Sequence, residues 1–567
     1  MKKSRWIFPE QTNFDHQVFA TLRQTPELSL IPDRTLGFLV SRGYHDAEEI
    51  YNLFYQNLDH LYDFNLMKDA TKALRLLKTA INNKDHIVVV ADYDMDGMGA
   101  GALTVLGIRE LGGVIDHHTN NRFIEGYGLK PETVDKVLER FPDTKVILTV
   151  DNGISAYEGV AYAKRKGLTV IVTDHHDANE VVPSADAVVN PKQHDCSYPF
   201  KELCGAGIAF KLVRTLAWEL GAEMDFFDDL VDIAALSTVA DVVPLVSENR
   251  IIVKEGLKRV KEGRRSFFRY MKEASQPTVI NEETFGFTYG PMLNAHGRID
   301  GNVGPIIEAI ITKNQEWQQQ MCNYLVEMNN YRKSLTEVQK NFVLELLKPQ
   351  LNEPVFVVKH PSLHEGLVGL IAGYIKEEFY KPVFVLTEHD GVIKGSARSI
   401  PGFHLKNELD KCQEFLGSYG GHAPAAGLSI KEGCYDQFVQ AIQQQAREVL
   451  TEELLTQKVN INIAISENEL NFGLLEELDL LRPYGAGFEK PIVALRNLNV
   501  TNSTMLGQEK QHLKLRGEKY DVLLFNKAQR YATDGCPYRL NVLGYPAINS
   551  FRGNVTLQFL GSDYKTI

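Results

Sequence analysis

HIVVVADYDMDG (86–97) decides the fold: an apolar, β-branched run closes on three aspartates at alternate positions, Asp92, Asp94 and Asp96. Two further runs of the same build follow, KVILTVD (145–151) and LTVIVTDHH (168–176). Helical spacing fills the intervals, in GMGAGALTVLGIRELGG (97–113), PETVDKVLERF (131–141) and AYEGVAYAKRKG (156–167). Continuous rather than alternating apolar strands, separated by helices, predict a parallel sheet covered on both faces, a doubly wound α/β domain. In such sheets right-handed crossovers bring the loops after the strands to one edge, where ligands bind. That edge collects Asp92, Asp94 and Asp96, then Asp151, then Asp174, His175 and His176. Asp241, in LSTVADVVPL, follows another apolar run.

Carboxylates gathered at one rim repel, by roughly 1 to 4 kcal/mol per close pair even near water. Few Lys or Arg lie within these motifs, so a pair of divalent cations is the simplest neutraliser, and mixed Asp and His donors suit Mn²⁺ or Mg²⁺. Two such ions can activate water and stabilise both the attacking and leaving oxygens of a phosphoryl displacement. The pattern therefore points to metal-assisted phosphoester hydrolysis. Taken singly, an Asp after a strand is most simply the N-cap of the next helix. A second Asp-His-His triplet, at 116–118, follows a Gly-Gly turn and a two-residue apolar run, and is expected to be non-catalytic. The joint pattern at 92–96, 151, 174–176 and 241 is what chance does not supply.

Outward from this core, residues 1–80 carry helical spacing and no chemical cluster, and 81–305 hold the acidic strand ends. Residues 306–348 lack Pro and Gly, which predicts a long connecting helix, or two with a tight join. Residues 349–450 read as a smaller α/β domain around EPVFVVKH and KPVFVLTEHD, and 455–567 as a β-rich module, a small barrel. With 567 residues, 44% hydrophobic and 24% charged, the composition is that of globular domains and excludes collagen-like, disordered and disulfide-framework classes. No run approaches the ~18 apolar residues of a membrane span, and the six scattered cysteines form no CxxC pair, so a reduced, cytoplasmic setting is expected. A net charge of -12 argues against nucleic acid at first sight. Residues 481–567, however, hold twelve Lys and Arg against six Asp and Glu.

The motifs resemble the DHH phosphoesterase superfamily and, within it, the RecJ family of single-strand-specific exonucleases. The resemblance runs from about residue 80 onward. ADYDMDG (91–97), TVDNGIS (149–155), VTDHH (172–176) and STVADVVPL (237–245) are similar to the four family motifs. NRFIEGYGL (121–129), LCGAGIAFKL (203–212), GPMLNAHGRID (290–300), KGSARSI (394–400) and GGHAPAAG (420–427) follow in family order. The resemblance implies that Asp94, Asp96, Asp151, His175, His176 and Asp241 are catalytic metal ligands for two Mn²⁺ or Mg²⁺ ions, with Asp92 and Asp174 just behind them. It implies a DHH-associated domain at 349–450 and an OB-fold for the terminal barrel. Arg122, Ser396 and Arg398 are expected to grip a 5′ terminal phosphate, with Asn294, Arg298 and His422 also reaching substrate. The implied activity is 5′-to-3′ exonuclease action on single-stranded DNA in recombination and repair, with a single-strand-binding protein and a helicase as partners. The alternatives are a phosphodiesterase for short oligonucleotides or RNA and a non-catalytic single-strand-binding scaffold. Met95, His296, Gly373 and Tyr374 depart from the usual pattern without removing an expected ligand; in an extended segment Met95 would point away from Asp94 and Asp96.

Overall fold

Five parallel strands carry the acidic edge in the computed structural model, which describes residues 3–8, 15–389, 391–551 and 554–567. They are β1 (His86–Ala91), β2 (Val114–Thr119), β3 (Thr144–Val150), β4 (Thr169–Thr173) and β5 (Ala187–Val189), in the order β2-β1-β3-β4-β5. The order reverses between β1 and β3, the switch point at which doubly wound sheets open a crevice. Both faces are covered, as the uninterrupted apolar runs require. Ile87, Val89 and Ala91 pack with helices α1 (Ala70–Asn83), α2 (Met95–Glu110) and α5 (Gly205–Glu219). Val88 and Val90 face the other way, onto α3 (Pro131–Arg140) and α4 (Tyr157–Arg165). Each such fully buried side chain contributes roughly 1.5 to 3 kcal/mol, so strand register is fixed on both faces.

The first Asp-His-His triplet lies inside edge strand β2, where Asp116 meets Nε2 of His86 at 3.0 Å and His117 Nε2 meets Glu308 at 2.8 Å. Asp116 and His117 are thus held in structural pairs. Two features differ from the sequence reading. The segment around Met95 is not extended: Asp94 caps α2, and Met95 begins the helix and is buried in the core. The region 1–80, which carries helical spacing, also holds a strand, Lys3–Ile7, paired with Thr456–Asn460, ahead of its helices.

Helix α6 (Val231–Ala240) ends at Asp241, and α7 (Gly290–Ile299) carries Asn294 and Arg298. After a short helix at Gly304–Ile311, α8 (Gln315–Leu347) runs for 33 residues, about 50 Å at 1.5 Å per residue. Its burial pattern has three parts. Met321, Cys322 and Leu325 enter the core of the first sheet, Val343 and Leu347 enter that of the second lobe, and the buried residues between them, Asn329, Arg332 and Thr336, are polar. The second lobe holds α9 (Val368–Phe379) and strands β6 (Phe356–Lys359), β7 (Val383–His389), β8 (Val392–Arg398), β9 (Leu416–Gly421) and β10 (Ala425–Ile430), in the order β9-β10-β8-β7-β6.

A separate compact unit comprises Ser4–Gln56, Gln457–Tyr484 and Glu489–Ile567. Its mixed sheet has seven strands, with Ile463–Ile465 at one end of the order and Asn502–Leu506 at the other, and two 13-residue strands, Arg539–Phe551 and Asn554–Thr566, near its centre. Among the described residues no helix is long and apolar enough to cross a membrane.

The second lobe meets the first where Gly366 abuts the carbonyl oxygen of Arg298, so close that a Cβ there would collide with backbone. Gly366→Ala is expected to lower stability by about 1 to 3 kcal/mol, the usual cost of overpacking, read as a drop in the urea midpoint. An unchanged midpoint would mean that this contact does not constrain the lobes.

Candidate active site

The strand ends place the acids as their local sequence dictates. Asp94 does serve as an N-cap, its Oδ1 accepting from the N–H groups of Asp96 (2.9 Å) and Gly97 (3.2 Å). That arrangement leaves its other oxygen for the cleft. Asp96, in the first turn of α2 and buried, accepts from the N–H groups of Gly205 (2.6 Å) and Ala206 (2.9 Å) at the start of α5, where the helix dipole favours negative charge. Asp151 follows β3 in a left-handed conformation, φ 60°. Gly205 is required beside it, because a Cβ there would lie 2.5 Å from the Asp151 Cβ and 2.7 Å from its Oδ1.

Asp174 is buried and fully engaged. Its Oδ2 accepts from Ile154 N–H, and its Oδ1 accepts from the N–H groups of His175 and His176 and from Nδ1 of His176 at 2.7 Å. Burial alone would raise its pKa, but the donation from His176 and the backbone N–H groups outweigh it and hold the carboxylate ionised. With Nδ1 so fixed, Nε2 of His176 is the nitrogen left for a ligand, the usual arrangement behind a metal-bound imidazole. Burial would lower His176, yet the Asp174 bond and charge raise it to about 9. Nε2 of His175 lies 3.0 Å from Asp151 Oδ1, 3.7 Å from Asp96 Oδ2 and 3.7 Å from Asp241 Oδ2.

Three overlapping sets of ligand atoms, each within 4.8 Å, result: Asp96–His175–Asp241, Asp151–His175–His176 and Asp92–Asp94–Asp151. All six expected ligands are brought together. Asp174 stands behind them, as expected, whereas Asp92 comes within ligand distance of Asp94 and Asp151. Burial, then mutual repulsion, raises Asp92, Asp94 and Asp151, and pushes Asp241 up to about 9. Asp151 Oδ1 is buried and, although Nε2 of His175 lies 3.0 Å away, accepts no hydrogen bond. A crowd of raised carboxylates, an orphaned oxygen and mixed Asp and His donors fit divalent cations such as Mn²⁺ or Mg²⁺.

Arginines ring this cluster. Arg122 stacks over Tyr93, 5.0 Å from the ring centre. Arg398, on β8, donates to Ser396 Oγ at 2.8 Å. Burial first, and then Arg122, lowers Arg298 to about 10, with Arg332 and Arg398 adding to the effect and Asp94 opposing it. His422 sits at the β9–β10 hairpin tip, exposed, with Nδ1 3.5 Å from Asp177, the residue after His176. Sequence reasoning missed three groups: Arg332, the N–H groups of Gly205 and Ala206, and Tyr127, whose hydroxyl lies 3.3 Å from His176 Nδ1. Arg332 had one available signal, a cation in a long helix between two apolar stretches.

An acidic sheet edge with this donor set, joined by a long helix to a second lobe, defines a phosphoesterase of the DHH class. Residues 86–238 match the DHH family, N-terminal domain, 352–448 the DHHA1 domain, and 461–563 the RecJ OB domain. The single-stranded-DNA-specific exonuclease RecJ of Dickeya dadantii is 34% identical, over 96% of this chain and 98% of its own. Among solved structures, RecJ from Thermus thermophilus in complex with Mn²⁺ superposes with a TM-score of 0.85 at 26% identity, covering 100% of this chain and 80% of that one. The Mg²⁺ complex of that protein gives 0.78 at 25% identity, covering 100% and 79%. The chain belongs to the RecJ family of single-stranded-DNA-specific exonucleases.

Raised carboxylate pKa values have a thermodynamic sign. Such a group favours the metal-free fold while protonated, and that contribution disappears as pH climbs from the unfolded value near 4 through the folded value, about 9 for Asp241. Cation binding needs the deprotonated form. The gain in Tm on adding Mn²⁺ is therefore expected to grow steadily between about pH 6 and 8, measured by thermal unfolding against a chelated control. A gain independent of pH would contradict the site's charge balance.

Proposed function

We propose that this chain hydrolyses single-stranded DNA from its 5′ end and releases 5′-mononucleotides. The observation that carries this reading is the convergence, in one lobe pair, of six ligand-type side chains and a cluster of arginines. Asp94, Asp96, Asp151, His175, His176 and Asp241 would hold two Mn²⁺ or Mg²⁺ ions, with Asp92 beside them. Bound there, the ions supply charge neutralisation of the phosphodiester and a lowered pKa for the attacking water.

The chain's own groups do the rest. Arg122, Ser396 and Arg398 grip the terminal phosphate, whose extra charge and free oxygens suit the planar guanidinium fork. Asn294 and Arg298 bear on the strand beside the acids, and His422 donates from the hairpin tip. Asp174 holds His176 in one tautomer throughout. The water oxygen bonds to phosphorus, the P–O3′ bond of the terminal nucleotide breaks, and O3′ leaves with a proton. The shortened strand keeps a new 5′ phosphate, so the same grip can act again.

The assignment of roles along the chain follows: 81–305 is the catalytic domain, 306–348 the connector, 349–450 the substrate-holding lobe and 455–567 the strand-tracking module, supported by that module's local excess of Lys and Arg. The substrate requires a helicase to expose single strands and a single-strand-binding protein to keep them open, in the cytoplasm where recombination and repair proceed.

Release of mononucleotides from 5′-phosphorylated single strands with Mn²⁺ is the test. Asp94→Ala/Asp96→Ala is expected to lose at least about a hundredfold in rate, the scale seen when charge-stabilising groups are removed from a reacting centre. Full activity in that variant, or faster action on RNA or cyclic dinucleotides by the unaltered protein, would overturn the reading.

A further inference from the structure

Beside Asp241, which follows lining residue Ala240, lies a pocket of about 430 Å³, within the range of small-ligand sites, and of its lining residues only Asn294 and Arg298 have a role above. Its walls come from four helical segments, among them the end of α6 at Ala240. One is a single turn of π-helix, Phe285–Tyr289, running into α7. Phe285 and Tyr289 are buried and stack with Phe268 in the core, while Phe287 between them is 79% exposed and lines the pocket. π-Helical turns are rare and cluster at functional sites. Tyr374 of α9, also in the lining, is 53% exposed. Nζ of Lys340 lies 6.0 Å from the centre of the Tyr374 ring, and both exposed rings belong to one cavity.

The remaining lining is cationic and polar. Arg332, from the polar middle of α8, is buried, yet its hydrogen bonds go to Asn329 of its own helix, from Nε (3.1 Å) and Nη2 (2.9 Å). Arg298, Lys333 and Asn294 complete the wall, and Asn294 Oδ1 is buried without a partner. Gly369, on the same helix as Tyr374, lies against Ser396 and Arg398 of the phosphate grip. Tyr374 is five residues further on, about 7.5 Å along the axis. The pocket is thus a neighbour of the 5′-phosphate grip, on the side of Asp241.

We infer that this pocket seats the nucleotide on the 3′ side of the scissile bond, its base stacked between Phe287 and Tyr374 and its backbone held by Arg332 and Lys333. The inference rests on the exonuclease reading and deepens it. Two aromatic faces read any base alike, so stacking fixes the strand's position without sequence preference. They also require the base to be unpaired and splayed from its neighbours, which is a demand for single-stranded substrate made at the site of chemistry. The exposed rings are positioning residues: they hold the strand so that the phosphate before this base lies over the acids.

The test uses the whole protein with Mn²⁺ and 5′-phosphorylated oligothymidylates that differ only in an abasic site at the first or the second residue. For the unaltered protein the abasic second residue is expected to lower kcat/KM roughly tenfold, the scale of one lost base stack. In Phe287→Ala/Tyr374→Ala that penalty should shrink to within about twofold, whereas Phe287→Tyr should retain it. Equal turnover of both second-residue substrates by the unaltered protein would overturn the assignment without any variant, as would a penalty that persists in the double variant. If the unaltered protein digested neither substrate, the exonuclease reading itself would fail first. An abasic first residue serves as the comparison, since its base lies outside the pocket and its penalty should not respond to either ring.

Discussion

Mutual repulsion among buried carboxylates is the constraint on which this molecule turns. Asp92, Asp94, Asp96, Asp151 and Asp241 converge on one sheet edge, and burial makes each charge costly. Lys192 acts on His175 and Asp241, and Arg122 and Arg298 act on Asp92 and Asp94 from around the cluster, where a phosphate would also meet them. The fold supplies partial relief through the N–H groups at the start of α5 and of α2. The remainder falls to divalent cations, so folding of the edge, binding of metal and readiness for phosphate are one coupled event.

The second consequence is geometric. Acids that need cations and arginines that need phosphate must be held apart yet within reach of one strand. Helix α8 does this by composition: its ends are apolar and enter two different cores, and its middle is polar and borders the cleft. Gly366 against Arg298 sets how closely the second lobe approaches. Arg398, on β8, then comes near enough to Arg298, on α7, to help lower its pKa.

Much of this was legible in the sequence, for identifiable reasons. Strand runs such as IVVVA and VILTV are buried on both faces, so their hydrophobicity is uninterrupted and their ends stand out. The aspartates fall at those ends, and topology alone brings them together. What escaped has equally physical causes. The edge strand Val114–Thr119 carries Asp116 and His117 into pairs with His86 and Glu308, contacts made across elements distant in sequence. Arg332 reads as an ordinary surface cation of a long helix until the second lobe buries it. The Lys3–Ile7 strand is short, and it pairs with Thr456–Asn460, far along the chain.

The central claim is that the acidic edge holds two divalent ions through shared ligands. Direct counting of Mn²⁺ bound per chain, by calorimetric titration of the chelated protein, tests it most plainly. Two ions are predicted for the unaltered protein. Because Asp151 belongs to two of the three ligand sets, Asp151→Asn should weaken both ions together. One ion or none in the unaltered protein, or an Asp151→Asn variant that still binds two with undiminished affinity, would contradict the account.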